Sequence, residues 1–202
     1  MPTLIVIGGP NGSGKTTLTQ YLKERLRIKS PVINPDEIAL NEFGSYSHHI
    51  SAAKEALTRR KNFINNNNDI AFETTFSGTS EITDIIKAKE KGYTTILYFV
   101  TLKSVLDNII RVEQRQSNAG HKVDNDDIIR RYEKSYSNLV KNISLFDTVY
   151  LFDNSDSSRS RVAIFNSGKL SWVNGKHLNH SFYKALLAQP SSTSTSATGL
   201  NK

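Results

Sequence analysis

The residues Gly8-Gly9-Pro10-Asn11-Gly12-Ser13-Gly14-Lys15-Thr16-Thr17 have the types and spacing to do chemistry. From Gly9 they read G-x-x-x-x-G-K-T, the Walker A pattern of a phosphate loop. The loop stands between an apolar run, Leu4 to Ile7, and a helical pattern, Leu18 to Leu26, as that motif requires. The glycines let the backbone fold around an anion, so that successive N–H groups face a β-phosphate with a helix N-terminus behind them. Lys15 supplies a mobile point charge between β- and γ-phosphates, and the Thr16 hydroxyl can ligate Mg²⁺. The cofactors expected are therefore a nucleotide, ATP in preference to GTP, and Mg²⁺. The loop does not name the acceptor of the phosphate.

In an open parallel sheet ligands bind at the carboxyl ends of the strands, and three predicted strand ends carry acids: Asp36, Glu73 and Asp153. Asp36 could take the proton of an acceptor hydroxyl and aim the oxygen at the γ-phosphate. Asn34-Pro35-Asp36-Glu37 reads equally well as a turn feeding a helix, with Asp36 in a capping role. Glu73 and Asp153 each end an apolar strand as a Walker B acid would, holding Mg²⁺ directly or through water. Spacing does not separate those two. Thr74 and Thr75 could bond substrate or satisfy strand-end backbone groups. Arg111 and Arg115 lie four apart and face the same way. With the Gly120-His121 loop and Arg130-Arg131 they would suit a lid that closes over ATP and presents arginines to it. Taken singly, each arginine is better explained by a surface pair such as Asp107–Arg111, worth about 0.3–0.5 kcal/mol, and it is the group as a whole that favours the lid.

The elements that must position these groups alternate. Strands are expected at Thr3 to Gly8, Val32 to Asn34, Ile70 to Thr75, Thr94 to Thr101 and Thr148 to Phe152. Helices are expected from Lys15 to Arg27, Ser47 to Ile64, Ser80 to Lys91, Ser104 to Gln116 and onward from a cap at Asp124. Such alternation means an α/β fold, a parallel sheet with right-handed crossovers and helices on both faces, of strand order 2-3-1-4-5. A β-hairpin follows at about residues 161–173, around Asn166-Ser167-Gly168. The chain up to residue 189 reads as one domain, with a short helix over His180 to Leu187 and a disordered Ser/Thr-rich tail over residues 190–202.

Composition narrows the class. There is no cysteine among 202 residues, which excludes disulfides, thiolate metal sites and a cysteine nucleophile. No apolar stretch approaches the roughly 20 residues that cross a bilayer, and the first residues lack the pattern of a secretion signal, so the cytoplasm is the expected compartment. The net charge of +7 fits a nucleic-acid surface or a pocket for a polyanionic small molecule. Lys and Arg are spread along the chain and no aromatic-rich RNA-binding motif accompanies them, which favours the small molecule.

Taken together, Gly-Gly-Pro-Asn-Gly-Ser-Gly-Lys-Thr-Thr, Asn34-Pro35-Asp36-Glu37-Ile38-Ala39 and Ala71-Phe72-Glu73-Thr74-Thr75-Phe76-Ser77-Gly78 resemble the zeta-toxin family of small P-loop kinases. Arg111-Val112-x-x-Arg115, Gly120-His121-x-Val123, Ile129-Arg130-Arg131-Tyr132 and Tyr150-Leu151-Phe152-Asp153-Asn154-Ser155 extend the likeness over residues 3 to about 165, toward a short branch described as predicted ABC-type ATPases or kinases. The resemblance implies ATP-dependent phosphorylation of a hydroxyl, in the well-understood toxins the 3′-hydroxyl of the amino sugar of UDP-N-acetylglucosamine, and a small antitoxin that blocks ATP binding. It implies Lys15 and Thr16 as the Walker residues, Asp36 as catalytic base, and Glu73 and Thr75 as the acid and threonine after strand three. Glu55 falls where the toxins carry a substrate-contacting glutamate, and Arg111, Arg115 and Arg131 match the lid arginines. The departure is Glu73-Thr74-Thr75-Phe76-Ser77 in place of Glu-Gly-Thr-Gly-Arg. That arginine is absent and a bulky Phe76 appears, a departure that argues against the sugar-nucleotide acceptor and leaves ATP and phosphoryl transfer in place.

Overall fold

Strand β1 (Thr3–Gly8) buries both its faces, Leu4 and Val6 against one layer of helices and Ile5 and Ile7 against the other. A strand in the middle of a parallel sheet must do so. The computed structural model describes residues 1–119, 123–177 and 186. In chain order the elements are β1, α1 (Lys15–Glu24), β2 (Val32–Ile33), α2 (Pro35–Asn41), α3 (His49–Asn65), β3 (Ile70–Thr74), α4 (Ser80–Glu90), β4 (Thr94–Thr101), α5 (Val105–Ala119), α6 (Asn125–Asn142), β5 (Thr148–Asp153), β6 (Ser160–Asn166) and β7 (Lys169–Val173).

These strands form one seven-stranded sheet of order β2-β3-β1-β4-β5-β6-β7. The first five pair in parallel, in the order expected from the sequence. β6 and β7 pair antiparallel to β5 and to each other, so the expected hairpin extends the same sheet instead of standing apart from it. It covers the backbone donors and acceptors that β5 would otherwise leave at an open edge. Residues of α2, α3, α4 and α6 fill one core layer, and Leu18 and Leu22 of α1 fill the other. The expected helix over His180 to Leu187 and the tail over residues 190–202 lie outside the described residues, apart from Leu186, which is helical and buried.

Asn34-Pro35-Asp36-Glu37, expected as a turn feeding a helix, is itself the start of α2, because Asn34 caps it: its Oδ1 accepts from the Asp36 N–H at 3.0 Å, and Pro35 takes the first helical position. The capping role therefore belongs to Asn34, and the Asp36 side chain is free of it.

Helices α3 and α4 are joined by a buried ion pair, Arg60 Nε to Asp84 Oδ2 at 2.8 Å, with side chains only 7% and 2% exposed. The guanidinium also lies 4.9 Å from the centre of the Phe72 ring. Removing one partner leaves an uncompensated buried charge, so Asp84→Ala should cost about 3–5 kcal/mol of stability. Chemical denaturation measures it, and a loss under about 1 kcal/mol would show that the pair is solvated.

Candidate active site

The phosphate loop is built by the packing beneath it. Gly9 has φ +143° and sits against the Val100 carbonyl of β4, where any Cβ would collide. Gly14, at φ +98°, leads into α1 and is backed by the Asn154 amide. That amide donates from Nδ2 to the Ser13 carbonyl at 2.9 Å, and Asn108 Nδ2 donates to the Asn11 carbonyl. The loop that follows β5 and the helix α5 thus hold the phosphate loop from outside. Pro10 and Thr17 complete it, Thr17 in the first turn of α1 and at the cleft wall.

Lys15 folds back onto this loop, its Nζ donating to the Gly9 and Pro10 carbonyls at 3.0 Å each. Burial pushes its pKa down to about 8, opposed by the charges of Glu73 and Asp36 and reinforced by Arg115 and Arg131. Those four side chains line the same cleft as the half-buried ammonium and act on its charge. A polyanion bound there would raise the pKa again. The sign follows: binding is strongest where the free protein already carries the proton, below about pH 8, and weakens above it by up to about tenfold per pH unit. Calorimetric titration of ATP between pH 7 and 9.5 checks this, and a flat profile would mean that Lys15 does not face the phosphates.

The structure separates the two strand-end acids that the sequence left equal. Thr16 Oγ1 donates to Glu73 Oε2 at 3.0 Å, and Glu73 Oε1 is buried without a hydrogen-bond partner. Asp153 is turned to the opposite task, its Oδ1 accepting from the Ser155 N–H at 2.8 Å in the loop after β5. Among the described residues no three His, Cys, Asp or Glu side chains cluster as metal ligands. One hydroxyl and one carboxylate with an unpartnered oxygen fit Mg²⁺, which is commonly held by one or two carboxylates together with phosphates.

Around this centre opens a cleft of about 970 Å³. Asn11, Gly12, Gly14, Lys15, Thr16, Thr17, Asp36, Glu73 and Thr75 line it together with Arg111, Arg115, Arg130 and Arg131. Arg111 Nη2 donates to the Asn154 carbonyl at 2.8 Å, not to Asp107, and so ties α5 to the loop that backs Gly14. Arg130 and Arg131 both reach Asp127, at 2.7 and 3.5 Å. Gly120 and His121 lie outside the described residues. Glu55 does not line the cleft. Its carboxylate accepts from Arg59 Nε at 2.7 Å, Arg59 in turn grips Glu42, and the α3 residues that face the cleft are His49, Ile50, Ala53, Lys54, Leu57 and Arg60.

Phe76 is not a cleft residue either. It is fully buried, 5.9 Å from the Phe99 ring, and holds a left-handed backbone at φ 57°. Such a conformation costs a bulky residue about 1–3 kcal/mol, and packing must overdetermine it. Asn138 of α6 donates to the carbonyls of Phe76 and Gly78, while buried Glu81 accepts from Thr74 Oγ1 and the Gly78 N–H. This leaves Thr75 and Ser77, bonded to each other at 2.8 Å, as the loop's face on the cleft. Sequence reading passed over Arg60, Glu81, Asn108 and Asn138. Each acts through a partner at least three residues away and belongs to no motif, and only the N-terminal placement of Glu81 in α4 hinted at an anchor.

A parallel sheet of this order with a phosphate loop after its first strand defines a P-loop kinase fold, and solved structures agree. A chain of the AvrRxo1-ORF1:-ORF2 complex with ATP superposes with TM-score 0.68 at 20% identity, over 96% of this chain and 66% of that one. The PezAT toxin–antitoxin system of Streptococcus pneumoniae superposes with TM-score 0.62 at 19% identity, over 93% of this chain and 83% of that one. This chain thus spans a little under two thirds of the AvrRxo1 chain. A family model described as Zeta toxin matches residues 1–161, and the chain belongs to the Zeta toxin family. An uncharacterized protein of Haemophilus influenzae is 31% identical over 126 residues, 61% of this chain and 88% of that protein.

Proposed function

We propose that this chain is an ATP- and Mg²⁺-dependent kinase that transfers the γ-phosphate to a hydroxyl of a small, phosphate-bearing acceptor. The observation that carries the reading is that Asp36, Glu73, Arg115 and Arg131 line one cleft with the half-buried ammonium of Lys15, at the mouth of a phosphate loop. Asp36 takes the acceptor's proton as its oxygen attacks the γ-phosphorus, and the bond to the β-phosphate oxygen breaks to release ADP. Lys15, Arg115 and Arg131 spread the charge that develops on the equatorial and leaving oxygens. Thr16 and Glu73 would hold Mg²⁺, which would supply positive charge against the phosphates during transfer.

The acceptor half lies on the β3 side, where Thr75, Ser77, Thr79 and Ser80 offer hydroxyls, and Lys54 and Lys134 offer charge for a second phosphate. UDP-N-acetylglucosamine heads the candidates through the family. The loop after β3 gives that acceptor no arginine, and the face of α3 toward the cleft offers Lys54 in place of Glu55. A small antitoxin that covers the ATP side of the cleft is the protein partner to look for. Incubation with γ-labelled ATP, Mg²⁺ and a panel of sugar nucleotides, nucleosides and RNA 5′ ends tests the reading. Label should pass to one acceptor class and to no other. ATP binding without transfer to any of them would reduce the chain to a nucleotide-binding protein.

A further inference from the structure

We propose that the face of the sheet over β4, β5, β6 and β7 that the described residues leave open binds single-stranded nucleic acid, its bases on an aromatic row and its phosphates at arginines with no ion-pair partner among those residues. Among the described residues α1 covers this face at β1, with Tyr98 and Val100 of β4 buried in the same cluster and Tyr150 and Phe152 of β5 only partly buried at its edge. Beyond it, direct cross-strand partners form a row: Tyr98 opposite Tyr150, Tyr150 opposite Ile164, and Ile164 opposite Trp172. The Tyr98 and Tyr150 rings stack 5.0 Å apart at 13°, and Phe152 lies 6.5 Å from Tyr98. Tyr150, Phe152 and Ile164 are only half-buried, and Trp172 is 42% exposed.

Arginines border this row. Arg161 lies 5.1 Å over the Trp172 ring, Arg159 lies 5.7 Å over Phe152 and 5.0 Å over Tyr21, and Arg25 lies 4.6 Å over Tyr21. Arg27 is near enough to Tyr98 to act on its hydroxyl. None of these four forms an ion pair among the described residues. The nearby Asp156 is held by Lys103 at 2.9 Å. Residues 178–202 contain no Asp or Glu that could serve them. Guanidinium groups laid flat on rings, beside aromatic planes and without a carboxylate, match what a single strand offers: π-faces and a phosphate chain. A duplex hides its base faces and does not match.

This face is separate from the cleft at the strand ends, so its occupancy does not depend on the kinase reading. Trp172 is the only tryptophan in the chain and reports on the face directly. Decauridylate RNA should quench its emission in full-length protein saturated with a non-hydrolysable ATP analogue, and prior saturation should leave the affinity unchanged. By anisotropy of the labelled RNA, Tyr150→Ala should weaken binding about tenfold or more. The exposed change Arg161→Gln, which does not touch the core, should lower the slope of log affinity on log salt by about one. Hybridisation to decaadenylate should weaken binding at least about tenfold. Absence of quenching, displacement of the RNA by the ATP analogue, or an unchanged salt slope in Arg161→Gln would overturn the proposal. So would a dimer that RNA leaves intact and Trp172→Ala dissolves, since the face would then be a self-interface.

Discussion

Replacing Lys15 with alanine should abolish measurable phosphoryl transfer, a loss of at least about a thousandfold, at the upper end of what removing one preorganised donor costs. Without a ligand Lys15 spends its ammonium on the Gly9 and Pro10 carbonyls, a local arrangement that a nucleotide must exchange for contacts to its phosphates. No neighbour can take over that task, because Arg115 and Arg131 stand on α5 and α6, outside the phosphate loop. The variant should nevertheless fold. Burial holds the Lys15 pKa down to about 8, so at pH 7 the lysine is still charged but holding that charge in the folded state costs stability relative to the unfolded chain, and alanine removes that cost. Thermal melting at pH 7 should therefore show no loss of stability in Lys15→Ala. Normal transfer in this variant would contradict the phosphate-loop assignment, whereas unfolding would show that the carbonyl contacts are structural.

The second large effect belongs to Asp36. Asp36→Asn keeps shape and hydrogen bonding, and the cap of α2 is supplied by Asn34, so the helix should persist. What disappears is a proton acceptor at the cleft, and the rate should fall more than about a hundredfold with ATP affinity kept at pH 7. A finer consequence follows from charge. Asp36 helps to keep Lys15 protonated, so the decline of ATP affinity with rising pH should begin earlier in Asp36→Asn than in the natural chain.

Much of this site was legible in the chain, because short-range rules govern it. The phosphate loop needs glycines at set positions between a strand and a helix, and Asp36 and Glu73 follow from reading strand ends in an open parallel sheet. The core order of five strands was legible too, since alternation with right-handed crossovers leaves few choices. What was not legible depends on pairings far apart in sequence. Glu73 could be separated from Asp153 only by seeing which carboxylate meets Thr16, across 57 residues, and which is spent on Ser155. Phe76 looked like a change to the acceptor pocket, but its left-handed backbone turns the ring into the core against Phe99 and Phe146. Glu55 looked like a substrate contact until α3 was seen to turn it toward Arg59. The aromatic row from Tyr98 to Trp172 has no linear signature, because four strands contribute one residue each.

The kinase reading stands most directly on whether label moves. With γ-labelled ATP, Mg²⁺ and the acceptor panel, the natural chain should phosphorylate one class of hydroxyl. Asp36→Asn, binding ATP as tightly at pH 7, should do so more than about a hundredfold more slowly. Equal rates in the two proteins, or no labelled product from the natural chain with any acceptor, would contradict it.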